Sequence, residues 1–314
     1  MQKMRPPNIF VASPPQQPLE NQLNLAQEIL SVGGIGTKTI DGTFQYGENV
    51  VRVYVRELPG PIIPKWFGNL RIDVLEIGQI TAYQNRDRYR PVVCGVSIGH
   101  PNIDAGTLGC LVEKEGNHYI LSNNHILANS NKAIPCDPVL QPGRTDGGVS
   151  PDDNIATLEP YKEIDFSSDF NNIDAAIARV GDTNQTFVRS EIVDIGTPIS
   201  TPCSVSLGQI VRKSGRTTGH TVGVVEDISA DLSIDYGDQS AWFENQIVVK
   251  GVASDSPRFS DSGDSGSLLV DKQTFEPVAL LFAGNEFGLT VANPIDLVLD
   301  YYGVTIVGTK GADA

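Results

Sequence analysis

Residues 260–270 read SDSGDSGSLLV, setting Ser262, Ser265 and Ser267 among aspartates and glycines before the chain turns apolar. A serine hydroxyl is a weak nucleophile until a base takes its proton, and that base is most often an imidazole. The chain holds four histidines, His100, His118, His125 and His220, and all of them precede Ser265. An α/β-hydrolase needs its histidine after its serine, and its G-x-S-x-G elbow also fails here because Ser267 takes the last position. The order histidine, aspartate, serine stays open.

His125 lies in YILSNNHILAN, where an apolar strand ends, two asparagines turn the chain and the histidine opens a short apolar stretch. A catalytic imidazole needs such a place, fixed by a strand and tilted toward a cleft. His118 sits in the polar turn EGNHY, His100 in the turn SIGHPN, and His220 follows SGRTTG at a strand edge or a cleft wall. For the carboxylate, Asp174 in NNIDAAIARV heads an apolar strand, where a charge must find hydrogen-bonding partners. Asp165 and Asp169 lie in a polar loop and can face water. His125 and Asp174 are the favoured partners of Ser265.

These residues need elements to position them. From 93 onward, short apolar runs such as HYILS, AAIARV, NQIVVKG, SLLVD and PVALLFAG alternate with Gly, Asn, Asp and Pro, which predicts an all-β body. PIDLVLDYYG near the end is the exception, with a helical pattern. Before this body, residues 1–17 read as a flexible tail, and 18–80 as a small α/β domain. The latter combines a helix over 18–31, stopped by VGGIG, with strands in ENVVRVYVREL and LRIDVLEIG. Residues 81–92 read as a polar connector and 93–314 as the domain that carries the chemistry. SGRTTG lacks the terminal Gly-Lys-Ser/Thr of a phosphate loop and reads as a turn into a strand.

Taken together, GDSGS around Ser265, NNHI around His125 and IDAAIA around Asp174 resemble the three catalytic segments of chymotrypsin/trypsin-like serine proteases. GTLGCLV, LSNNH, LQPG, KSGRTTG, GDSGSLLV and VANPID extend the resemblance to the plant narrow-leaf type proteases and their bacterial relatives. The resemblance implies a mainly β fold, a chymotrypsin-like double six-stranded β-barrel, with the site between the barrels. It implies serine endopeptidase activity through an acyl-enzyme, a His125–Asp174–Ser265 triad, and an oxyanion hole from the N–H groups of Gly263 and Ser265. The position at the base of the substrate pocket falls on Phe259, which is not acidic, and Ala283 and Gly284 fall on the pocket walls. Family members commonly carry a cysteine where Cys110 stands, bridged to one directly after the histidine. That residue is Ile126 here, so the bridge is missing. Pro91 after Arg90 argues against activation by cleavage there, so Asp264 is expected to pair with an Arg or Lys rather than a new N-terminus.

Charge and composition narrow the partners. With 38 acidic and 23 basic residues, the net charge is −15, which disfavours nucleic acid and anionic membranes. The four cysteines, Cys94, Cys110, Cys136 and Cys203, are too far apart for a zinc site or a disulfide framework, so no metal or other cofactor is expected. The N-terminal stretch lacks an apolar signal core, which sets the expected location as cytoplasmic. The expected partner is a protein or peptide substrate, and the extra N-terminal domain offers a means of homo-oligomer assembly. A catalytically silent or latent protease-fold module, built for binding and assembly, is the competing reading.

Overall fold

The computed structural model describes residues 29–37, 49–55, 65–68, 70–76, 85–167, 169–181, 187–252 and 258–310. The chain divides into two units, residues 1–82 and 83–314.

The described part of the first unit is a four-stranded sheet. Its strands are β1 (Ile29–Thr37), β2 (Asn49–Val55), β3 (Trp66–Phe67) and β4 (Leu70–Glu76), in the order β1-β2-β4-β3. β2 and β4 pair in parallel, the other neighbours antiparallel. The two strands expected from sequence are β2 and β4, rich in the β-branched residues that suit a pleated surface. The helix expected over 18–31 is corrected at its end. Ile29, Leu30 and Ser31 belong to β1, and the glycines expected to stop the helix run through that strand. Pairing with β2 overrides the local helical period, and the register shifts near Ser31 and Gly34 are where a glycine-containing strand bulges. The rest of that helix and the tail at 1–17 lie outside the described residues.

The boundary between the units also corrects the sequence reading. Residues 85–92, expected to be connector, are part of the second unit. The Asn85 side chain is buried and donates to Ser214 Oγ at 3.0 Å and the Gly215 carbonyl at 2.8 Å. The Tyr89 N–H donates to Gln141 Oε1 at 2.9 Å. The polarity that suggested a solvated linker is used in bonds to the body.

The second unit begins with β5 (Val92–Cys94), β6 (Ser97–Ile98), β7 (Gly106–Thr107), β8 (Cys110–Lys114) and β9 (Asn117–Ser122). The one-turn helix α1 (Asn124–Leu127) follows, then β10 (Pro138–Leu140), β11 (Asn154–Leu158), β12 (Phe170–Asn171), β13 (Ala176–Val180) and β14 (Val188–Ile192). The second half comprises β15 (Ile210–Gly215), β16 (Gly219–Asp235), β17 (Ser240–Gly251), β18 (Leu268–Asp271), β19 (Pro277–Gly284) and β20 (Leu289–Pro294). The helix α2 (Ile295–Tyr302) and β21 (Thr305–Ile306) end the described chain.

Two main sheets result, of six and seven strands. The first is an antiparallel sheet in the order β10-β11-β13-β9-β8-β21, over a core that includes Cys110, Ile120, Leu121, Ile155 and Ala178. The second has seven strands, in the order β12-β17-β16-β15-β18-β19-β20; the six from β17 to β20 close on themselves because β20 also pairs with β17, around Val211, Val225, Val249, Phe259 and Leu269. Closure leaves no unpaired edge in that ring. The molecule is mainly β, with the double six-stranded architecture expected from the resemblance.

Candidate active site

The pairing of β9 with β13 sets up the first half of the site. Ser122 and Ala176 are register partners, so the chain just after β9 and the chain just before β13 leave the pair at the same end. His125 sits there on α1 and Asp174 on the approach to β13. His125 Nδ1 lies 2.6 Å from Asp174 Oδ2, and the His125 N–H donates to Oδ1 at 3.2 Å. With Nδ1 carrying the proton toward the carboxylate, Nε2 is left as the acceptor. Asn123, fully buried, donates from Nδ2 to the Asp174 carbonyl at 2.8 Å.

The Asp174 side chain has no exposed surface, so its charge depends on donors. Besides the two from His125, the Tyr236 hydroxyl donates to Oδ2 at 2.8 Å. The Asp174 N–H donates to Asn293 Oδ1 on β20 at 3.0 Å, and Asn293 Nδ2 donates to Gln246 Oε1 on β17 at 2.7 Å. Asp174 is thus held by both halves of the unit. Neither Tyr236 nor Asn293 was found from sequence. Tyr236 lies in the ordinary turn sequence DYGDQ, and Asn293 in the VANPID segment, whose resemblance assigned no role to that asparagine.

The second half is the turn before β18. Gly263 and Gly266, either side of Asp264 and Ser265, both have φ of +95°, a conformation glycine adopts at little cost. A Cβ on Gly266 would stand 2.2 Å from both Ser122 Oγ and the Thr107 carbonyl, so the turn packs directly on the first sheet. The Thr107 N–H donates to the Ser265 carbonyl at 2.8 Å, and the Gly266 N–H to the Leu281 carbonyl at 2.8 Å. Among the described residues, the N–H groups of Gly263 and Ser265 meet no protein acceptor.

Asp264 points inward and is fully buried. Lys213 Nζ, also buried, lies 3.0 Å from its Oδ2. The N–H groups of Thr217 and Thr218 donate to Oδ1 at 2.8 and 3.1 Å, and Thr218 Oγ1 to Oδ2 at 2.6 Å. Lys213 also donates to Thr218 Oγ1 and to the Gly219 carbonyl. Burial pulls the Lys213 ammonium below its ordinary value, and the Asp264 charge opposes that pull. The SGRTTG segment thus ends β15 and turns into β16, as expected from sequence, and with Lys213 it wraps the aspartate beside Ser265. Ser267 is accommodated without crowding: its buried hydroxyl donates to the Asp264 carbonyl at 2.6 Å.

The two halves face one cleft of about 740 Å³, lined by His125, Tyr236, Ser260, Ser265, Ala283 and Gly284 among others. Among the described residues, the Ser265 hydroxyl makes its hydrogen bond to the Phe282 carbonyl, at 3.3 Å, and not to His125. Phe259 corrects the expected pocket base. It is fully buried in the second core, and Ser260 lines the cleft instead. Ser260 Oγ bonds Thr290 Oγ1 at 2.6 Å.

The other histidines lie elsewhere. His100 is buried against Asp137 at 3.1 Å, a structural pair rather than a plain turn residue. His118 is half-exposed beside Glu113, and His220 is exposed at the start of β16. A second groove, of about 580 Å³, is lined by His118, Arg179 and Phe187 and contains none of His125, Asp174 and Ser265. Among the described residues, no three His, Cys, Asp or Glu side chains gather as a metal site.

No family model matches the chain, and no curated protein does. It is similar to several solved structures, all with low identity. One is a glutamic acid-specific serine protease described as using a histidine triad in substrate binding: 22% identity, TM-score 0.49, covering 69% of this chain and 100% of that one. Another is Thermobifida fusca protease A: 16% identity, TM-score 0.48, 69% of this chain and 99% of that one. A third is the alpha-lytic protease homolog N4: 17% identity, TM-score 0.49, 68% and 98%. The structural neighbours are chymotrypsin/trypsin-like bacterial serine proteases.

Proposed function

We propose that this chain is a serine endopeptidase acting on proteins or peptides through His125, Asp174 and Ser265. The observation that carries the reading is the 2.6 Å contact between His125 Nδ1 and a buried Asp174, in a cleft that also holds Ser265. The Ser265 hydroxyl leaves the Phe282 carbonyl and passes its proton to His125 Nε2 as Oγ attacks the scissile carbonyl. Asp174 holds the imidazole in the needed tautomer and stabilises the imidazolium. The unpartnered N–H groups of Gly263 and Ser265 take the developing oxyanion, where each donor contributes roughly 3–4 kcal/mol. His125 then protonates the leaving amine. Water, deprotonated by the same imidazole, cleaves the acyl-enzyme. Ala283 and Gly284 form part of the wall for the substrate side chain.

One observation favours a second reading, a latent or silent module for binding and assembly: the Ser265 hydroxyl is turned to Phe282. Kinship with the narrow-leaf type proteases is carried by the sequence motifs GTLGCLV, LSNNH, KSGRTTG and VANPID alone. A fluorophosphonate probe separates enzyme from silent module. Labelling of the wild type, lost in Ser265→Ala and His125→Ala, supports the enzyme. A folded wild type that takes no label rejects it.

A further inference from the structure

We propose that Tyr236 is a positioning residue of the triad, holding the Asp174 carboxylate through Oδ2 from the β16–β17 hairpin. This deepens the serine-protease reading and rests on it. The two His125 donors reach Asp174 from a single residue, the backbone N–H on Oδ1 and Nδ1 on Oδ2. Those two donors set the otherwise broad terminal torsion of the aspartate, but both move with His125. The Tyr236 hydroxyl supplies a donor from a separate element, on the oxygen that Nδ1 uses.

The side chain is built to hold that place. Its ring meets Phe166 edge-on, with centroids 5.5 Å apart, and meets the His125 ring edge-on at 5.9 Å. Behind it stands Phe243 at 6.4 Å, and Phe243 packs on Phe282 at 4.8 Å. Phe282 is the residue whose carbonyl takes the Ser265 hydroxyl. One aromatic row therefore backs both the aspartate's donor and the nucleophile's resting acceptor. At the hairpin tip, the Tyr236 N–H donates to the Gln239 carbonyl at 2.8 Å and Gly237 turns the chain with φ of +95°. Burial, then the neighbouring Asp174 charge, holds the phenol well above its ordinary value of 10, so it remains a donor at neutral pH. A rigid aromatic carries such a donor with few torsions to order.

The test compares wild type with Tyr236→Phe, which keeps the ring and removes the hydroxyl, and with Asp238→Ala as a hairpin control. Tyr236→Phe is expected to fold normally and react with a fluorophosphonate roughly tenfold to a hundredfold more slowly, a typical effect of misplaced catalytic groups. Its His125 Nδ1 proton resonance should move downfield, because Oδ2 has lost a competing donor. Asp238→Ala should match wild type in both. An unchanged labelling rate, or a slower one with the Nδ1 resonance unmoved, overturns the inference and leaves the protease reading intact. A wild type that takes no label overturns the protease reading instead. The resonance then decides alone whether Tyr236 holds Asp174.

Discussion

Lys213 Nζ lies 3.0 Å from Asp264 Oδ2, and neither side chain has any exposed surface. The pair sits directly behind the turn that presents Ser265. Removing one partner of a buried pair strands the other charge, at a cost of about 3–5 kcal/mol. Lys213→Met should therefore lower the melting temperature by roughly 10 °C for a domain of this size. It should also abolish fluorophosphonate labelling, because Asp264 lies between the two proposed oxyanion donors. Lys213→Met combined with Asp264→Asn should recover part of the stability. Thermal unfolding of the three proteins decides it, and a Lys213→Met melt close to wild type would show that the pair does not support the turn.

The same turn is constrained at Gly263. Its φ of +95° already disfavours a side chain, and a Cβ would lie 2.6 Å from both Arg216 Nη1 and Thr217 Oγ1. Arg216 cannot retreat freely, since it is bonded to Asp146 at 2.5 and 2.8 Å. Gly263→Ala should fold but rotate its N–H out of line. Losing one such donor should slow labelling about a hundredfold or more. A labelling rate within a few fold of wild type would remove Gly263 from the proposed oxyanion hole.

Ser267 raises a smaller question. It stands where the resembling motif has glycine, yet its hydroxyl bonds the Asp264 carbonyl that the Ser267 N–H also reaches at 3.0 Å. Ser267→Gly should cost about 1–2 kcal/mol, from the lost hydrogen bond and the added backbone freedom. Labelling should persist, because the proposed donors are untouched. A denaturant titration measures the first effect, and a gain in stability would mean the hydroxyl is strained rather than useful.

What could be read from sequence were the groups whose local pattern reports their role. His125 after an apolar strand, Asp174 at the head of another and Ser265 between glycines each carry such a signal; His125 and Ser265 line one cleft, and Asp174 is buried against His125. Tyr236 and Asn293 act on Asp174 from 62 and 119 positions away, and Lys213 acts on Asp264 from 51, through pairings that only the fold creates. The need for a basic partner at Asp264 was visible in the chemistry, but not which residue meets it. Phe259 failed for a related reason: counting back from the serine does not tell whether the residue reached packs into the core or faces the cleft. The helix at 18–31 failed at its end because pairing outweighed period. Residues 85–91 misled because polar side chains were read as solvated when they bond across the domain.

Acid should act on the site through Asp146. Burial raises its carboxyl, but hydrogen bonds from Arg216 and Ser97 and the charges of Arg216 and Arg86 outweigh this and leave it below the ordinary 3.8. A carboxyl depressed on folding contributes stability that is full above its unfolded value and is lost as pH falls through its lower folded value. Asp146→Asn removes that contribution and frees Arg216 beside Gly263. The melting temperature of wild type should exceed that of Asp146→Asn by a few degrees near neutrality, with the gap closing below roughly pH 4. Labelling by the probe at neutral pH should be slower in the variant, since Arg216 backs Gly263. Melts taken between pH 7 and 3 check the sign, and a gap that stays constant, or widens in acid, would show that the Arg216–Asp146 pair does not carry the acid dependence.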